Sequence, residues 1–133
     1  MSKLLLLALA CCLVSCARVT GAGKIIAGTS TRALQEAPAQ YRVKKTFPAE
    51  YPIVYKEVLK ILNSKNCLAF LHSERKRRIV AMNLLDEKDT TEIGIFFTPV
   101  NEQETEVEIV CLSPGHLKLA KQLVFSELEM SFK

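Results

Sequence analysis

The chain predicts an α+β fold: a strand and a helix, then a four-stranded antiparallel meander and a closing helix, with both helices packed on one face of the sheet. Three observations predict it. Apolar residues at Tyr51, Val54, Tyr55, Val58, Leu59 and Leu62 keep to one face of a helix. Four short apolar segments between Cys67 and Leu112 are separated by polar turns, the spacing of an antiparallel meander. A second helical stripe, Leu117, Ala120, Leu123, Val124 and Leu128, follows Ser113-Pro114-Gly115.

At the N-terminus, Lys3 supplies a positive charge and Leu4 to Val14 form an unbroken apolar run. That run is too short for a membrane-spanning helix, which takes about 20 apolar residues. Charge, run and small residues together read as a secretory signal over residues 1–15. The closing Leu13-Val14-Ser15-Cys16 resembles the bacterial lipobox. The resemblance implies a diacylglycerol on the Cys16 thiol, cleavage just before it, and often acylation of the new amino group. An ordinary signal peptide cut near Ser15 or Ala17 is the rival, and it would leave Cys16 unmodified. Ala17 stands where Asp resembles an inner-membrane retention signal. The expected location is therefore the cell envelope, anchored by lipid, in the outer membrane facing the periplasm.

Residues 16–39 are small and polar without a sustained apolar period, and they read as a lipidated flexible tether. Gly21-Ala22-Gly23-Lys24 fails as a phosphate loop. Arg18 stands where the first glycine is needed, and Ile25 where Ser or Thr must follow the lysine.

The domain expected over residues 40–133 opens with Gln40–Phe47, an imperfect alternation that reads as a strand with Tyr41, Val43 and Lys45 on one face. Pro48 to Pro52 turn the chain into the first helix, which ends at Asn63-Ser64. The meander strands fall in Cys67–Ser73, Arg78–Leu85, Thr91–Pro99 and Thr105–Leu112. Alternation turns Val107, Ile109 and Cys111 inward, with Glu106 and Glu108 outward, and does the same for Ile93, Ile95 and Phe97. Leu68 and Phe70, large and apolar, are expected inward as well. Neither helix is long enough to stand alone, so each needs the sheet to cover its stripe.

This order, with Arg42–Ala49 leading into Val54–Leu59, resembles a group of small uncharacterised bacterial lipoproteins. It is also similar to the helix-grip domains of the C subunit of the outer-membrane protein assembly machinery. The resemblance implies an envelope location and a binding or scaffolding role, and it carries over no catalytic residues. Two departures stand out: the basic turn after His72, and the lack of a glycine near Lys65-Asn66.

Removing the first 15 of 133 residues leaves 118, one domain with a tail, and losing Lys3 lowers the net charge from +4 to +3. So weak a bias gives no reason to expect a nucleic-acid partner. With Cys16 assigned to lipid, Cys67 and Cys111 remain. They lie on the first and last of four meander strands, roughly 14 Å apart, beyond the ~7 Å a disulfide allows, so two free thiols are expected.

His72 and His116 are the only histidines. Cys111-x4-His116 is too sparse for a zinc site, and Cys111 sits on an apolar face, so neither a metal nor a Cys–His nucleophile is expected. The one local charge concentration is Arg75-Lys76-Arg77-Arg78 at a hairpin tip. It reads as a solvated turn or as a contact for anionic lipid or an acidic partner.

The expected function is a non-enzymatic lipoprotein, held in the membrane by Cys16, without cofactor, whose domain binds an envelope protein. The rival is a ligand-binding or hydrolytic protein with a helix–sheet pocket, using Tyr41, Tyr55 or His72.

Overall fold

The computed structural model of the protein describes residues 31–133. Cys16, the signal segment 1–15 and the tether as far as residue 30 lie outside the described residues. Leu34–Lys133 forms one compact unit with its own core.

The unit runs β1 (Arg42–Phe47), α1 (Tyr51–Ser64), β2 (Leu68–Ser73), β3 (Arg78–Met82), β4 (Ile93–Asn101), β5 (Glu104–Val110) and α2 (Pro114–Ser131). The sheet order is β1-β5-β4-β3-β2, and every neighbouring pair is antiparallel. The four meander strands pair in succession, and β1 closes on the remaining edge of β5. The architecture is α+β and helix-grip-like, with both helices on one face.

That face is dry. Val107 and Ile109 of β5, Ile93, Ile95 and Phe97 of β4 and Ile79 and Ala81 of β3 meet Val54, Val58 and Leu62 of α1 and Ala120, Val124 and Leu128 of α2. Each such Val, Leu or Ile contributes roughly 1.5–3 kcal/mol by leaving water. Phe47 packs against Phe125 with ring centroids 5.6 Å apart, which ties the end of β1 to α2.

The end of α1 explains the missing glycine. Asn66 adopts φ 60°, the left-handed conformation that Asn tolerates better than other non-glycine residues. Its N–H donates to Asn63 O at 3.1 Å, and the Cys67 N–H donates to Leu62 O at 2.9 Å. This double bond pattern reverses the chain and sends Cys67 into the core beside Leu62.

Here the structure corrects the expectation for β2. With Cys67 inward, Ala69 shares its side and Leu68 is turned out; Leu68 and Phe70 are both exposed. A bulge between Ala69 and Leu71 then shifts the register, so that His72 lies opposite Ile79 and Leu71 opposite Val80.

The opposite face of the sheet is covered in part by the chain before β1. Leu34 and Ala37 are buried against Val80 and Val110, with Tyr41 and Phe96 beside them. Both residues fall in the span expected to be tether, so the compact unit opens before Gln40. Tyr41 accordingly packs on the face opposite Val43. Gly94 makes room there, because a Cβ would lie 2.9 Å from the Phe96 ring and 3.3 Å from Leu34 Cδ1 and would force the ring to shift.

Candidate functional site

The β3–β4 loop, residues 83–92, is long and polar, and it folds around Asp89. The Asp89 carboxylate accepts the Leu85 N–H and the Thr91 N–H, each at 3.1 Å, while its backbone carbonyl accepts the Asn83 N–H at 2.9 Å. Asn83 enters the loop with φ 65°. Burial works to raise the Asp89 pKa, but hydrogen bonds from Thr91, Leu85 and His116 outweigh it and hold the carboxyl below its ordinary value.

The loop forms one wall of an open cleft of about 890 Å³. Lys65, Asn66 and Leu68, where α1 gives way to β2, form the other wall, opposite Asn83, Leu85 and Asp86. A second recess of about 340 Å³ shares Lys65 and Leu85 with the first. Leu84, Leu119 and Leu123 line it, so the polar cleft adjoins an apolar one. Leu85 stands between them and is exposed.

Behind the cleft wall, Asp89, His116 and Ser113 form a hydrogen-bonded line. His116 Nε2 lies 3.0 Å from Asp89 Oδ2, and Ser113 Oγ lies 2.9 Å from His116 Nδ1. A carboxylate can only accept, so Nε2 carries the proton; in the neutral ring Nδ1 then accepts from the Ser113 hydroxyl. In that tautomer His116 can take the Ser113 proton while Asp89 steadies the resulting imidazolium. The line also ties the β3–β4 loop to the first turn of α2, whose N-cap is Ser113. None of the three lines the cleft.

Cys67 and Cys111 are buried free thiols. Burial pushes both upward in pKa, and the Asp89 charge adds to it; for Cys111 a hydrogen bond from Ser113 acts the other way. Both are therefore poor nucleophiles at neutral pH. His116 turns to Asp89 and Ser113, away from a pairing with Cys111. Among the described residues no group of three or more His, Cys, Asp or Glu is placed to hold a metal ion.

His72 and Tyr55 meet on the helix side of β2, with Tyr55 Oη 3.4 Å from His72 Nδ1. Tyr51, Tyr55 and Phe97 form an aromatic triangle there, with centroids 5.5–5.9 Å apart. Burial pushes the Tyr51 pKa up to about 12, aided by Tyr55 and Glu74 and opposed by Arg77. Tyr41 lies on the opposite face, so the three polar residues expected at a helix–sheet pocket do not converge.

The basic turn also divides. Arg75 and Lys76 are exposed at the β2–β3 tip. Arg77 takes φ 55° and lies over the Tyr51 ring at 5.7 Å, and the Tyr51 hydroxyl donates to the Glu74 carbonyl. Arg78 is half-buried in β3. Arg75, Lys76 and Arg77 thus remain exposed cations, the last of them laid over the Tyr51 ring.

Asp89 and Ser113 carry no mark of their own in the sequence, since Asp89 and His116 lie 27 residues apart. The available signals were the length of the polar loop Asp86–Thr90 and the Ser-x-x-His spacing at the start of a helix.

No family model matches the chain, and no curated protein matches it. Among solved structures it is similar to the di-domain ARO/CYC StfQ from the steffimycin biosynthetic pathway. The TM-score is 0.49 at 13% identity, over 66% of this chain and 43% of that one. It is also similar to TTHA0849 from Thermus thermophilus, with a TM-score of 0.38 at 16% identity, over 67% of this chain and 93% of that one. The chain spans less than half the length of StfQ. Likeness at these identities and TM-scores assigns this chain no activity. The expectation of a non-enzymatic domain is withdrawn: the Ser113–His116–Asp89 line is an arrangement able to do chemistry, and StfQ is itself an ARO/CYC.

Proposed function

We propose that this chain is a lipid-anchored protein of the bacterial cell envelope. Cys16 carries the lipid, and the unit from Leu34 to Lys133 binds another envelope component at the cleft between α1, β2 and the β3–β4 loop. The observation that carries the reading is Leu13-Val14-Ser15-Cys16, closing an apolar run too short to span a bilayer. The resemblance to small bacterial lipoproteins supports the same location. The cleft supports the binding role: side-chain amides of Asn63, Asn66 and Asn83 offer donors and acceptors, and the adjoining recess suits one apolar side chain of a partner. Two or three acyl chains, at roughly 0.8 kcal/mol per buried CH₂, make a stable anchor. Metabolic palmitate labelling of the full chain tests the assignment. The wild type is expected to incorporate label and Cys16→Ala none, remaining at its unprocessed length. Label retained by Cys16→Ala, or absent from the wild type, refutes it.

The Ser113–His116–Asp89 line favours a second reading, acyl transfer or hydrolysis at Ser113. A fluorophosphonate probe should then label the wild type at Ser113 but neither Ser113→Ala nor His116→Ala. A wild type that stays unlabelled removes this reading.

A further inference from the structure

β2 is an outermost strand, bonded to β3 on one side only, so among the described residues its other row of backbone N–H and C=O groups meets no strand. Soluble proteins usually blunt such an edge with charge. Here it carries three large apolar side chains, Leu68, Phe70 and Leu71, which are 50%, 42% and 37% exposed. The turn that follows adds Arg75 and Lys76, both exposed, and among the described residues no carboxylate lies within ion-pair distance of either. Arg77 is held over Tyr51, and Glu74 is the one acidic residue of the turn.

We propose that this edge is a membrane-facing surface that docks on an anionic bilayer. Leu68, Phe70 and Leu71 enter the boundary between head groups and acyl chains, and Arg75 and Lys76 meet lipid phosphates. Apolar side chains flanked by cations are what that boundary selects. Water among the head groups satisfies the free backbone row, which the hydrocarbon core would not. Charge argues against a second copy as the occupant. Antiparallel pairing centred between Phe70 and Leu71 would bring Arg75 and Lys76 of one copy to Asn66 and Lys65 of the other, setting like charges together. The inference rests on the lipid-anchor reading in one respect. A chain anchored at Cys16 holds Leu34 within about 60 Å of the bilayer, the full extension of 18 residues, so a contact that is weak in solution is occupied at the membrane.

Flotation with vesicles tests the edge without the lipid anchor. The unit Leu34–Lys133, which has its own core, is mixed with vesicles of phosphatidylglycerol and phosphatidylethanolamine, or of phosphatidylcholine alone. Binding is expected to the anionic vesicles and to weaken with added salt. Arg75→Gln with Lys76→Gln should lower partitioning about thirtyfold. Leu68→Ser with Leu71→Ser should lower it as well, and Gln103→Ala at the β4–β5 turn should not, with circular dichroism confirming that each variant is folded. No binding, or equal binding to phosphatidylcholine, overturns the proposal. So does a dimer, seen by sedimentation without vesicles, that Leu71→Ser dissolves, since the edge would then belong to a second copy. Palmitate labelling of the full chain succeeds or fails independently of these results.

Discussion

At the scale of single residues, Asp89 organises more of the surroundings of the cleft than any neighbour. One carboxylate holds two loop N–H groups and the His116 ring. Its removal leaves those donors unmatched, at a cost on the order of 1–3 kcal/mol. The same bonds give the stability a pH dependence. The folded carboxyl sits below its ordinary value, near 3.9 in an unfolded chain. A depressed folded pKa contributes stability in full above the unfolded value and loses it as pH falls through the folded one. Wild type should therefore lose melting temperature on acidification below about pH 4. Asp89→Asn should melt lower at pH 7 and lose less on going to pH 2.5. Melting curves for both proteins from pH 7 to 2.5 check this, and parallel acid profiles would show that Asp89 is not the group responsible.

Elements differ in how plainly their residues announce them. The stripe from Tyr51 to Leu62 yields α1 with Val54, Tyr55, Val58 and Leu62 buried as its period requires. The strict alternation of β5 likewise puts Val107 and Ile109 inside. β2 misleads because three conditions that set its parity lie outside its own pattern. The left-handed Asn66 aims Cys67 inward, the bulge after Ala69 reverses the alternation, and the edge position leaves large side chains without a neighbour to cover them. The hydrophobicity of Leu68 and Phe70 says nothing about any of these. For the same kind of reason the Asp89–His116–Ser113 line is silent in the sequence. It needs a loop folded back on itself by an Asn at positive φ, and only then do residues far apart in the chain reach hydrogen-bonding distance. His72 and Tyr55 do meet, but only because the bulge after Ala69 returns His72 to the helix side of β2. The turn Arg75–Arg78 was legible as charge but not as conformation, since one left-handed residue lays the exposed Arg77 over the Tyr51 ring.

For the whole molecule, the consequential residue is Leu34. The sheet has two faces, and α1 and α2 cover only one. Val80 and Val110 on the other face would meet water if Leu34 and Ala37 did not lie over them. Gly94 leaves the room in which Phe96 and Leu34 fit together. Covering this face also shortens any tether, since the chain available between Cys16 and the compact unit stops before Leu34 and does not run to Ala39. The full extension of that chain falls by six residues, about 20 Å. Leu34→Ala removes a buried side chain whose neighbours are strands and cannot collapse to fill the space, which costs about 2–5 kcal/mol. A 100-residue domain moves by roughly 4–8 °C for each kcal/mol, so the variant should melt at least about 8 °C below wild type. Gln35→Ala, at an exposed neighbouring position, should melt as wild type does. Thermal denaturation of the three proteins side by side decides it. If Leu34→Ala melts with the wild type, the segment before β1 does not hold the outer face, and the domain begins where β1 begins.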